Sequence, residues 1–353
     1  MSVPRVRRKC TVNISKKERM RRAVQYEVVD RIPTQINYTS SLGEQMAQHF
    51  GIAVEDLPDR LGNHLLRIDL SYEKRYSEDG GTVFDWWGVG FSTAEEGYFT
   101  TVNPLAENKD LDAYPWPDPH RADLLEDAAK QVAADDGEHF ITPNFGFLLF
   151  ERAWSLRGFD NLLMELATDP GYVGELMDRI TDIQLALIHR YLELGVDGSY
   201  FGDDYGAQKN LLFSPRTWRK LIKPRLAKLF APFREAGLPV MMHSDGDIGK
   251  ILPDLVEIGL TVYNPVQPEV HEHRALKEKF GTDLAYYGGI STQTVLPNGT
   301  PEEVKEAAWN CVRCLAPENT GLLLAPSHRM MTDIPLINIE AMLEVFAELG
   351  ERT

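Results

Sequence analysis

One unit recurs along this chain: a short apolar strand, a turn carrying glycine or polar residues, then a longer amphipathic stretch. Eight strand candidates occur: Thr34–Asn37, Val83–Trp86, Phe140–Asn144, Gly198–Gly202, Val240–His243, Val262–Pro265, Leu284–Gly288 and Gly321–Ala325. Helix signals lie between them. Ser15 with Glu18 makes a capping box, and "DPGYVGELMDRITDIQLALIHRYLELG" is apolar at helical spacing and stops at Gly195. "SPRTWRKLIKPRLAKLFAPFREAG" starts on Ser214 with Pro215 at the first helical position, and "TPEEVKEAAWNCVRCL" starts on Thr300 with Glu303 closing a second box. Strands alternating with helices indicate a parallel sheet, because a parallel partner is reached only through a long crossover.

At 353 residues the best-fitting architecture is a (β/α)8 barrel of the TIM type. A doubly wound sheet is the alternative, but no G-x-G-x-x-G follows a strand. Residues 15–353 are read as one barrel domain, with 38–135 as an elaboration over one end and 1–14 as a basic tail. The first 22 residues hold nine Lys/Arg against one Glu, yet the net charge is −16, so the body is acidic and repels polyanions such as nucleic acid. No apolar run reaches the roughly 18 residues of a membrane helix, and the N-terminus lacks the apolar core of a secretory signal. Three cysteines, Cys10, Cys311 and Cys314, make no disulfide framework, which points to a reducing, cytoplasmic setting. Cys311 and Cys314 spell C-x-x-C late in a helix, where they read as small core residues rather than ligands.

In a barrel of this kind the chemistry collects where strands end and βα-loops begin. Reading those positions gives an unusual inventory. Strand two runs into "DWWGVGF" with Trp87, and strand three ends in Asn144. Strand four runs into "GDDYGAQ", which sets Asp203, Asp204, Tyr205 and Gln208 together. Strand five ends in "HSDGD" with His243 and Asp245, strand six in Asn264 and Gln267, and strand eight runs into "APSHRMMTD" with His328. Each has a bland reading: turn carboxylates, a hydrogen-bonded histidine, Asn-Pro turn chemistry. A His-x-Asp pair with a distant histidine is also a zinc-type donor set.

The chain resembles the uroporphyrinogen decarboxylase superfamily over nearly its whole length. The residues that carry the resemblance are "KKERMRRAVQYEVVDRIP", "HSDGDIGKILPDLVEIG", "NPVQPE", "YYGGISTQTVLPNGTPEEVKE" and "APSHRMMTDIPLINIEAMLEVF". The resemblance implies a (β/α)8 barrel with its site at the C-terminal mouth. It also implies either cofactor-free decarboxylation of porphyrinogens or zinc-dependent methyl transfer with corrinoid proteins and thiols. The decarboxylases carry an arginine-rich "RQAGRY" stretch after the first strand, whereas this chain has "INYTSSLGEQM", with no cation for substrate carboxylates. The thiol-directed methyltransferases of that superfamily carry H-x-C on strand five and a cysteine after strand eight. On the matching positions this chain has His243, Asp245 and, near the cysteine's place, His328.

The reading that follows is a metal-assisted methyltransferase, moving a methyl group from a small oxygenated or methoxylated compound to a corrinoid protein or other acceptor. His243, Asp245, Gln267 and His328 are the expected zinc ligands. Asp204 and Tyr205 are the expected catalytic pair, and Trp87, Asn144, Asp203, Gln208 and Asn264 the expected substrate contacts. A cofactor-independent decarboxylase of a smaller acid and a non-catalytic binding barrel are the rivals. A corrinoid protein and a second copy of the chain are the candidate partners.

Overall fold

The computed structural model describes residues 14–94 and 97–350. The basic tail over residues 1–14 therefore lies outside the described residues apart from Ile14, as does Cys10. Two compact units make up the chain: a central one, Leu66–Asp136 with Ile141–Asn264, and a terminal one, holding the chain up to Leu65, Gly137–Phe140 and everything from Pro265.

In chain order the strands that lie wholly in the central unit, or in it but for their first residue, are β1 (Leu65–Ile68), β2 (Arg75–Tyr76), β3 (Thr82–Phe84), β4 (Gly90–Ser92), β5 (Thr100–Val102), β6 (Phe140–Phe145), β7 (Tyr200–Gly202), β8 (Met241–His243) and β9 (Val262–Asn264). Within it β1, β6, β7, β8 and β9 are successive neighbours, and the ladders from β6 to β9 are parallel. The terminal unit contributes β10 (Ala285–Ile290) and β11 (Leu322–Pro326), also paired in parallel. Every residue of β7, β9, β10 and β11 is buried. Such unbroken apolar strands belong to a parallel sheet covered on both faces.

Six of the eight expected strands fall on β6 to β11. The other two differ. Thr34–Asn37 makes only a single parallel bridge, Thr34 to Leu324 on β11, rather than a strand of its own. Val83 lies in β3, which belongs to a separate antiparallel sheet in the order β2-β3-β4-β5, so the stretch first read as barrel strand two is part of the elaboration. The strand that enters the parallel ladder there is β1, whose sequence is LLRI. The physical reason is the turn at Asp79-Gly80-Gly81. The Asp79 carboxylate accepts from Gly81 N and the Ser77 hydroxyl, closing β2 and β3 into a hairpin instead of sending the chain into a crossover.

The helix signals hold at their starts. Ser15 accepts from Glu18 N, Ser214 from Thr217 N, and Thr300 with Glu303 forms the full capping box of Pro301–Leu315. The stretch from Ser214 to Gly237 is two helices, Pro215–Leu221 and Lys223–Glu235. The break falls at Ile222 because Pro224 has no N–H to give the carbonyl four residues back.

Candidate functional site

The register of the parallel ladder levels the strand ends of the central unit. Gly202 pairs with His243, and His243 with Asn264. The ladder continues one step further, with Asp203 N donating to His243 O at 3.0 Å and Ser244 N to Asn264 O at 2.9 Å. Gly202, His243 and Asn264 thus end three adjacent strands at one height, with Asp203 the next residue on.

His243 is fixed through its Nδ1. That nitrogen lies 2.7 Å from Asn264 Oδ1, which also accepts from the Tyr200 hydroxyl at 3.0 Å. Two donors meeting on one atom assign it as the amide oxygen, and assign the ring proton to Nδ1. Nε2 is then the nitrogen with the lone pair, and it is turned toward two carboxylates. Asp245 Oδ1 is 3.6 Å away and Asp204 Oδ1 3.7 Å. Those distances are too long for hydrogen bonds. They are close to the roughly 3.4 Å that separates nitrogen and oxygen donors around a tetrahedral zinc with metal–ligand bonds of about 2.0–2.2 Å. An imidazole whose second nitrogen is tied to a fixed acceptor is also how proteins orient a metal-binding histidine. The donor set fits a divalent cation.

The loop after β8 is laced to the loop after β7. Asp245 N donates to Asp204 Oδ1 at 2.8 Å, Tyr205 N to Ser244 Oγ at 3.1 Å, and Asp247 N to Ala207 O at 2.8 Å. The contact needs two glycines. A Cβ on Gly206 would stand 2.6 Å from Asp245 O, and one on Gly246, at φ 77°, would stand 2.5 Å from the Gly206 carbonyl carbon.

Asp203 and Tyr205 face inward. Both are fully buried, and the Tyr205 hydroxyl donates to Asp203. Asp203 also accepts from Phe150 N at 2.9 Å and Glu151 N at 2.7 Å, so it caps the helix Phe150–Arg157 from outside. Burial pushes its carboxyl up to about 6, while those N–H donors and the phenol pull the other way. Burial, with the charge of Asp203, holds the Tyr205 phenol well above its ordinary range. Asp204 is half-buried and, with His243 and Asp245, is the accessible part of the group.

Of the other expected residues, Asn144 at the end of β6 donates to Asp69 Oδ1 at 2.8 Å, Trp87 is buried beside the antiparallel sheet, and Gln208 is exposed. Gln267 and His328 belong to the terminal unit, Gln267 buried shortly after β9 and His328 exposed after β11. Cys311 is a buried thiol pushed up to about 12 by its burial.

Two further residues join the group in the structure. Glu151, in the first turn after β6, is half-buried. Burial and the charges of Asp204, Asp203 and Asp245 push its carboxyl well above the ordinary range. Beside it Arg152 is buried and paired with Asp85 at 2.6 Å. The signal was in "GFLLFERAW", where an acid and a base interrupt an apolar run directly after a strand. No helix among the described residues is long and apolar enough to cross a membrane.

Comparison with known proteins adds the following. The profile of the family described as Uroporphyrinogen decarboxylase (URO-D) matches residues 15–349. A methylated-thiol–coenzyme M methyltransferase of Methanosarcina mazei is 26% identical over 166 residues, which are 46% of this chain and 42% of that protein. A uroporphyrinogen decarboxylase of Nocardia farcinica is 25% identical over 183 residues, 51% of this chain and 50% of that protein. The chain thus spans about half the length of the curated relatives it matches. Among solved structures, a methyltransferase from Methanosarcina mazei superposes with a TM-score of 0.70 at 20% identity, covering 95% of this chain and 99% of the other, a likeness of fold.

Proposed function

Because the chain belongs to the uroporphyrinogen decarboxylase family, we propose that it is a methyltransferase of that family, taking a methyl group from a small methoxylated compound and passing it to a corrinoid protein. The observation that carries this reading is His243, held through Nδ1 by Asn264 with Nε2 facing Asp245 and Asp204. We take His243 and Asp245 as ligands of a divalent zinc. The likeness of fold to a methyltransferase supports the (β/α)8 scaffold that this reading assumes.

A methyl ether is inert at neutral pH because an alkoxide or phenoxide is a poor leaving group. Bound zinc supplies a Lewis acid for the ether oxygen. The chain's own residues do the rest. Asn264 and Tyr200 fix the tautomer and angle of His243. Asp204, accepting from Asp245 N, is placed to orient the ether oxygen or give it a proton. The carbon–oxygen bond breaks with its electron pair on oxygen, the methyl group goes to the acceptor's lone pair, and a proton completes the released alcohol. Asp203 and Tyr205 act one layer further in, holding the loop and the helix Phe150–Arg157 that present Asp204 and Glu151.

A decarboxylase of porphyrinogens would lack the cations of the "RQAGRY" stretch. The stretch with "INYTSSLGEQM" forms the helix Ser40–Phe50, capped by Thr39, without an arginine. The test is metal analysis of purified, zinc-reconstituted protein alongside methyl transfer from a methyl ether to reduced cobalamin. Wild type is expected to hold close to one ion and to form methylcobalamin. His243→Ala should lose both with its melting temperature within a few degrees of wild type, and Cys311→Ser should keep the metal. A wild type that stays metal-free after reconstitution overturns the reading.

A further inference from the structure

We propose that Arg152 anchors a carboxylate of the substrate, and that the donor is an aromatic methyl-ether acid whose ring lies against Trp87 and Phe147; this deepens the methyl-ether reading above and rests on it. Arg152 is 6% exposed and lies in the helix that starts directly after β6, one residue beyond Glu151. Its guanidinium carbon is 5.1 Å from the Trp87 ring centre and 5.4 Å from that of Phe147. Nη1 donates to Asp85 Oδ2 at 2.6 Å and to Ser155 Oγ at 3.4 Å. Asp85 is itself engaged on its other oxygen, which accepts from Trp87 N and Val89 N. Nε is buried with no hydrogen-bond partner among the described residues.

A buried donor left unmet costs about 1–3 kcal/mol, and such exceptions call for a cause. Here the unmet nitrogen belongs to the Nε–Nη2 edge. That is the fork which grips a carboxylate through two parallel bonds, and Asp85 does not use it. Phe147 holds φ at +56°, a conformation that a bulky side chain adopts only where its surroundings impose it, and such positions gather at ligand sites. An acidic chain of net charge −16 draws no anion by its overall field, so a substrate carboxylate needs a local cation. Aromatic faces beside a guanidinium suit a flat, delocalised anion. The competing account makes Arg152 a tie between Asp85 and the helix, with nothing to recognise.

Calorimetric titration of the full-length, zinc-reconstituted protein separates the two. The probes are 4-methoxybenzoate, benzoate and methoxybenzene, which carry the ring with both groups, the acid alone and the ether alone. The wild type is expected to bind 4-methoxybenzoate at least 10-fold more tightly than methoxybenzene. Arg152→Gln should abolish that preference while leaving methoxybenzene unchanged. Asp85→Asn, which leaves the guanidinium without its neutralising partner, should widen it. Equal affinity of the wild type for the acid and the neutral ether overturns the proposal without any variant. An Arg152→Gln protein that keeps the preference overturns it as well. Benzoate keeps the two readings apart. Benzoate binding that depends on Arg152 in a protein unable to transfer methyl groups leaves the anchor standing and removes the methyl-ether function. Methyl transfer from neutral ethers with no preference for acids does the reverse.

Discussion

The helix Phe150–Arg157 carries two buried arginines, one near each end, and they are treated differently. Every nitrogen of the Arg157 guanidinium is engaged. Its Nε and Nη2 grip Glu165 at 3.0 and 2.9 Å, and its Nη1 donates to the carbonyls of Leu105 and Ala106. Lys109 adds a second cation to Glu165 at 3.1 Å. Arg152, five residues earlier, spends one nitrogen on Asp85 and leaves Nε unmet. A side chain selected for holding the fold together fills its donors, because each unmet one is a standing cost. One that serves a ligand keeps a donor unmet until the ligand arrives. The same contrast holds between adjacent residues on the loop after β7. Asp203 is closed off by two backbone N–H groups and a phenol, while Asp204 is left half-buried beside His243.

The contrast can be broken most directly at the two aspartates. Asp204→Asn is expected to lower methyl-transfer rate by about 100- to 10,000-fold, the range of a lost acid–base group, with metal content and melting temperature nearly unchanged. An Asp204→Asn protein that melts early but keeps its rate per folded molecule would make the loop a scaffold. At the arginines the expected effect is on stability. Arg157→Met strands the buried Glu165 and two carbonyls, and should cost about 3–5 kcal/mol in urea unfolding. Arg152→Met strands Asp85 Oδ2 but leaves Oδ1 its two backbone donors and removes the unmet Nε, so its cost should be the smaller of the two. Equal costs would erase the distinction.

The smallest effect is a pH slope. The folded Asp203 carboxyl, at about 6, lies above its ordinary value of 3.8, so the protonated form is favoured by folding. Its contribution is fully present below the unfolded value and is lost as pH rises through the folded one. Thermal melts of wild type and Asp203→Asn should therefore converge as pH rises from about 4 to about 6. Parallel curves would mean that Asp203 stays charged in the fold.

Much of the parallel ladder could be read from the chain because β6 to β11 are continuous apolar runs that end abruptly in polar residues. β1 is hard to read even with the Gly62-Asn63 turn just ahead of it, because four residues, "LLRI", broken by an arginine, do not stand out as an apolar run. β3 reads as a barrel strand because a half-buried antiparallel strand and a short barrel strand share the same few apolar letters. At the site, residue types were legible and directions were not. Asn264 was expected to meet substrate, but its oxygen is occupied by His243 and Tyr200. Asp203 and Tyr205 turn inward where Asp204 does not, and beyond the last strand residue no two-residue alternation exists to say which will. Glu151 and the Arg152–Asp85 pair depend on contacts between distant segments, Arg152 and Asp85 being 67 residues apart. Nothing local encodes such a pair.

The glycines that let the loops after β7 and β8 touch have a kinetic consequence. With Gly206 against Gly246 and hydrogen bonds crossing in both directions, neither loop can open alone. The amides of Tyr205, Asp245 and Asp247 should then exchange with deuterium at one shared rate, as a single unit of local unfolding. A residue with a side chain at position 206 would split that unit in two. It would be felt first as scatter in the angle that His243 presents, before any loss of the fold.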